Sequence, residues 1–131
     1  MTSNRKIGAN REKLCAEQFR AYIRKNHQIV AEWRSKPARY QSQDLWGDAD
    51  GLGFDLAFAC RYKSIISPYL IQVKSEFRLK YYRQLCEKWR DMNAFCYLAV
   101  YHCKPPSKQL ISTYRRRQVI RLKDFVLLRV L

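Results

Sequence analysis

The sequence predicts an α/β fold, a sheet sandwiched by helices. Two segments carry apolar residues at helical spacing, and short apolar or alternating runs at strand spacing lie between and after them. Their order is α-β-β-β-α-β with strands appended. A third observation bounds the size. In 131 residues, 47% hydrophobic and 14% aromatic side chains are enough to close one core and leave little for a second. A single domain over residues 1–131 is expected, its core at about 5–103 and its closing strands within 118–131.

From Ala9 to Lys25, Cys15, Phe19, Tyr22 and Ile23 recur at helical spacing while Arg11, Lys13, Arg20 and Arg24 fall largely off that stripe, which predicts an amphipathic helix. Ile29–Arg34 is short, mostly apolar and ends before Pro37, as a strand would. Gly53–Cys60 and Pro68–Ser75 read as two more strands across the polar turn Arg61–Ser67, so the three consecutive strands suggest a meander. Between Phe77 and Met92 a second helix is expected, since Tyr81, Tyr82, Leu85, Cys86, Trp89 and Met92 share one face with Lys80, Arg83 and Arg90 behind it. Phe95–Tyr101 is a continuous apolar run, the pattern of a central strand buried on both faces. After Pro105-Pro106 and a basic excursion, Gln118–Ile120 and Phe125–Val130 read as closing strands.

Charge narrows the function classes. Against 11 acidic residues stand 26 Lys and Arg, a net charge of +15, on a chain whose apolar content suits folding rather than disorder. A folded basic domain calls for a polyanionic partner. No run approaches the roughly 20 apolar residues of a membrane span, and the charged N-terminus lacks a signal-peptide core. The expectation is therefore an intracellular protein, cytoplasmic or nucleoid-associated, with no membrane partner. Cys15, Cys60, Cys86, Cys96 and Cys103 form an odd set without CxxC spacing, which reads as reduced, buried thiols.

Alternation places Asp55 with Ala57 and Ala59, away from Phe54, Leu56 and Phe58, and it aligns Leu70, Gln72 and Lys74 on one face of the next strand. A carboxylate, a carboxamide and an ammonium then meet on one sheet face. A hard divalent cation takes oxygen ligands, which Asp55, the Gln72 amide and the Val73 carbonyl offer, while a nearby Lys can position or deprotonate water. Glu12 completes the set, because it projects within about 20° of Phe19 and Ile23 on the core-facing stripe of the first helix, whereas Glu17 lies behind. Each residue alone has an ordinary structural explanation. Together they carry burial costs that call for mutual compensation or a metal.

Lys6-Ile7-Gly8-Ala9-Asn10-Arg11-Glu12, Phe54-Asp55-Leu56-Ala57, Ile71-Gln72-Val73-Lys74-Ser75 and Tyr97-Leu98-Ala99-Val100 resemble the archaeal-type Holliday junction resolvases of the PD-(D/E)XK nuclease superfamily, over roughly residues 5–103. The resemblance implies a restriction-endonuclease-like fold, an αβββαβ core with a mixed central sheet flanked by helices. It also implies a Mg²⁺-dependent endonuclease, with Mn²⁺ as an alternative, acting on branched DNA and most simply on four-way junctions as a homodimer. Matched by motif, Glu12, Asp55, Gln72 and Lys74 take the catalytic roles, with Asp55, Gln72, Val73 and Glu12 on the metal. Two positions depart from the family pattern. Gln72 stands where an acid is usual, although some branches of the superfamily carry glutamine there, and Phe54 replaces a proline.

Arg34, Lys36, Arg39 and Tyr40 are expected to grip phosphates beside the scissile bond, and Arg115, Arg116 and Arg117 to touch a more distant duplex arm. Asp44, Asp48 and Asp50 read either as caps of their own loop or as a source of one extra metal ligand, Asp44 preferred. Two other functions fit the same residues: a nuclease on linear, nicked or flapped duplex, and a DNA-binding protein of the same fold whose site has decayed. A basic RNA-binding domain would leave the acidic residues unexplained.

Overall fold

Elements follow the residue patterns closely and differ mainly at their ends. The structure is a computed structural model that describes residues 4–34, 54–101 and 119–130. In chain order these form α1 (Asn4–Ile23), β1 (Gln28–Arg34), β2 (Leu56–Tyr62), β3 (Ile65–Lys74), α2 (Leu79–Lys88), β4 (Phe95–Tyr101), β5 (Val119–Arg121) and β6 (Phe125–Arg129). The strands make one mixed sheet of six, in the order β1-β2-β3-β4-β6-β5. β1, β2 and β3 run as an antiparallel meander. α2 is the crossover that makes β4 parallel to β3, and β6 returns antiparallel to both β4 and β5.

Strand alternation divides the core into two layers. One face of the sheet presents Leu56, Phe58, Cys60, Ile71, Ala99 and Leu127 to Cys15, Phe19 and Ile23 of α1. The other presents Ala57, Leu70, Cys96, Leu98 and Val100 to Leu85 of α2 and to Trp89 just beyond it. β4 supplies both layers and is buried from Cys96 through Val100, as its unbroken apolar run predicts. Phe19, Phe58, Phe125 and Leu98 are among the fully buried side chains, each contributing roughly 1.5–3 kcal/mol of burial.

Polar ties fix the helices over the sheet. The Arg20 guanidinium forks onto the Glu32 carboxylate of β1, with Nε and Nη2 each reaching an oxygen at 2.9 Å. Gln18 donates to Asp124 at 2.6 Å and accepts from the Asp124 amide at 2.9 Å, holding α1 to the turn before β6. The Tyr82 hydroxyl donates to the Arg129 carbonyl at 2.6 Å, tying α2 to β6.

Three differences from the expected elements have physical causes. α1 begins at Asn4 instead of Ala9, because nothing in Asn4–Gly8 breaks a helix once its core-facing stripe is docked. Its expected stripe also loses Tyr22, which is 39% exposed; the amphipathic ring leaves its body against Phe19 at 6.3 Å and its hydroxyl outside. The turn expected over Arg61–Ser67 shrinks to Lys63-Ser64, since Tyr62 already pairs with Ile65. Lys63 reaches φ 58° to close it, which matches the positive first position of a two-residue hairpin loop.

Candidate active site

β2 begins at Leu56, so Asp55 sits just before the strand, where the ladder slips. Leu56 pairs with Ile71 and Ala57 with Leu70, yet the Asp55 amide donates to the Ile71 carbonyl at 2.9 Å. The slip releases the Val73 amide from the backbone ladder, and that N–H donates instead to Asp55 Oδ2 at 2.8 Å. A charge-assisted bond of this kind fixes the carboxylate more firmly than a neutral one. Since N–H and C=O of one strand residue leave the same edge, the Val73 carbonyl also leaves β3 on the Asp55 side.

Burial raises the Asp55 pKa, opposed by the Val73 amide and by the positive charge of Lys74. Lys74 is thus an electrostatic neighbour of Asp55, but the alternation expected through Asp55 breaks at the slip: Phe54 packs in the α2-side layer with Ala57 and Leu70, away from Leu56 and Phe58 in the α1-side layer, as an extra residue in a ladder dictates. Glu12 faces the same carboxylate from α1. Burial first and the Asp55 charge second push its pKa up to about 7, while Arg34, the last residue of β1, pulls it back. Cys15, one turn further along α1, feels both anions in addition to its own burial, and its thiol rises to about 12. Glu12, Asp55 and Arg34 therefore form one electrostatic group on the α1 side.

Gln72 and Lys74 leave β3 toward α2. They line a hollow of about 210 Å³ with Tyr81, Gln84, Leu85 and Lys88, and the Lys74 ammonium lies 5.1 Å from the centre of the Tyr81 ring. Asp55 stands between the two halves: Glu12 and Arg34 lie on its α1 side, Lys74 and Gln72 on its α2 side. No structural observation joins Gln72 to Glu12. Tyr81 is a participant that sequence reading assigned only to an apolar helical face. The i, i+4, i+7 spacing of Tyr81, Leu85 and Lys88 was the available signal that one tyrosine and one lysine of that face look onto β3.

Oxygen alone makes up the donor set: two carboxylates, the Gln72 amide oxygen and the Val73 carbonyl. Such a set suits a hard divalent cation. The physical sign of fit is the proton affinity of Glu12, raised by desolvation next to another carboxylate, the kind of half-buried anionic pair that a cation relieves. Among the described residues, no group of three or more His, Cys, Asp and Glu converges on one point. Lys36, Arg39, Tyr40, Asp44, Asp48, Asp50, Arg115, Arg116 and Arg117 lie outside the described residues. Comparison with known protein families, with curated proteins and with solved structures finds no match for this chain.

Proposed function

We propose that this chain is a metal-dependent endonuclease with a restriction-endonuclease-like core, cutting branched DNA and most simply four-way junctions. One observation carries the reading: the Asp55 carboxylate is pinned by the Val73 amide, with the Glu12 carboxylate and the Lys74 ammonium as its charged neighbours. The β1-β2-β3 meander followed by a helical crossover to a parallel β4 supports this reading of the core.

In this reading Asp55 and the Val73 carbonyl would hold Mg²⁺ or Mn²⁺, with Glu12 reaching it from the α1 side or Gln72 from the α2 side, directly or through water, and the ion would supply Lewis acidity toward a phosphodiester and a more acidic bound water. The chain's own residues supply the rest. The Val73 amide keeps Asp55 in one orientation, Lys74 orients the attacking water and stabilises charge developing on the phosphate, and Arg34 offsets the charge of Glu12. Cutting two strands symmetrically needs two sites, which makes a homodimer the natural working form.

The test incubates a labelled four-way junction and a matched linear duplex with the protein, with Mg²⁺ or with EDTA, and with Asp55→Ala as the control. Paired metal-dependent cuts on the junction alone, lost in the variant, are expected. Equal cutting of both substrates would keep the chemistry and discard junction specificity. Gln72 motivates a second reading, a DNA-binding protein with a decayed site, because an amide removes one negative charge from the cation's ligands. Tight, salt-sensitive binding without cleavage under either metal would establish that reading instead.

A further inference from the structure

At the opposite end of the sheet from Asp55 lies a second built hollow. β3 takes five residues, about 17 Å, to run from Tyr69 to Lys74. At the Tyr69 end, α1 terminates and β4 begins, leaving a space of about 210 Å³ lined by Tyr22, Asn26, His27, Tyr69 and Tyr97 among others. At about 30 Å³ per water, that is seven waters' worth. One heteroaromatic ring system fits the scale.

The walls are flat π-surfaces. Tyr69 and Tyr97 lie nearly coplanar in orientation, 6° apart, and Tyr69 stacks on Phe95 with centres 4.9 Å apart. Behind the hollow, Arg129 braces this cluster with its guanidinium 4.6 Å from the Phe95 ring and 5.8 Å from that of Tyr97. Polar edges are present too. The Tyr69 ring is largely buried, while its hydroxyl, which has no hydrogen-bond partner among the described residues, is open to solvent where Tyr69 lines the hollow. The phenol therefore offers the hollow a donor and an acceptor for a ligand's polar edge.

A basic hollow adjoins the aromatic one across Tyr22. Lys25, Arg121 and Lys123 line it together with Gln18, and among the described residues none of the three cations forms an ion pair. Asp124, next to Lys123 in the chain, bonds Gln18. Ring faces beside unpaired cations are the two halves of a single-strand binding site, where bases stack and phosphates meet Lys and Arg.

We infer that this end of the molecule binds a nucleotide unit, its base seated among Tyr22, Tyr69 and Tyr97 and its phosphate on Lys25, Arg121 and Lys123. The inference concerns binding alone and stands or falls independently of cleavage at Asp55. The unit comes either from an unpaired stretch of nucleic acid or from a free nucleotide, two sources with the same chemistry.

The experiment measures fluorescence anisotropy in EDTA at fixed salt, with a labelled ten-residue oligothymidylate and an equally long, equally charged oligomer of abasic sites. Wild type is expected to prefer the base-bearing strand. Tyr22→Ala, a change at an exposed ring, should weaken oligothymidylate binding roughly tenfold and leave the abasic oligomer unaffected, while Tyr22→Phe restores the preference. Lys25→Glu with Lys123→Glu should weaken both oligomers, and Asp55→Ala should keep the base preference. Competition by millimolar thymidine 5′-monophosphate would identify a free nucleotide as sufficient, and its failure would assign the site to a strand. Equal affinity for base-bearing and abasic oligomers, or an unchanged preference in Tyr22→Ala, would overturn the assignment.

Discussion

Asp55 has two duties, and substitutions separate them. Asp55→Asn keeps an oxygen for the Val73 amide and removes the charge, so it should abolish metal-dependent cutting while leaving most stability. Asp55→Ala also orphans the amide and should cost a further ~1–3 kcal/mol in urea unfolding. Glu12 makes the metal-free protein sensitive to pH. Its carboxyl binds a proton more tightly in the folded chain, about 7 against 4.5. The folded state therefore holds more protons than the unfolded one between those values, and stability falls as pH rises through that window. The melting temperature should drop from pH 5 to pH 8, less steeply in Glu12→Gln, and Mg²⁺ or Mn²⁺ should raise it at pH 8 far more than at pH 5. Lys63, held at φ 58°, supplies a third outcome: Lys63→Gly should stabilise the chain by ~0.5 kcal/mol, since release of left-handed strain exceeds the added freedom of the unfolded chain.

Among the elements, α1 contributes most visibly to both the core and the candidate site. Phe19 packs on Phe58 with ring centres 4.8 Å apart and on Tyr69 at 5.8 Å. Phe19→Ala should cost ~3–5 kcal/mol, readable as an earlier urea midpoint. Because Glu12 rides two helical turns before Phe19 on the same stripe, the loss should also slow cleavage beyond what the unfolded fraction explains. Periodicity made this helix legible, and it also revealed Glu12 on the buried side and Glu17 on the wet one. Alternation made the shared face of Gln72 and Lys74 legible in the same way, because a period of two needs no tertiary information. The ladder slip at Asp55 was not legible. It depends on which carbonyl accepts the Asp55 amide, and pairing between strands leaves no mark in either strand's pattern. Tyr81 was missed for a related reason: an apolar helical stripe shows that a ring is turned inward, without showing that it meets a lysine there.

For the molecule as a whole, the +15 charge predicts how DNA affinity responds to salt. A site engaging six to ten phosphates should lose about 10³–10⁵ in affinity between 50 and 200 mM salt, measured by anisotropy on an uncleaved junction in EDTA. A slope corresponding to only one or two phosphates would confine contact to the neighbourhood of Asp55. The irregular pairing of β1 with β2 bears on a different question, that of self-association. Among the described residues β1 and β5 are the edges of the sheet. β1 shifts register between Ile29 and Ala31, which breaks the even row of outward amides and carbonyls that another chain would need to zip onto this strand. The β1 edge is thereby guarded against fusing strand to strand into fibrils, and a symmetrical pairing of two copies through this side of the sheet falls to side chains across surfaces rather than to backbone across edges.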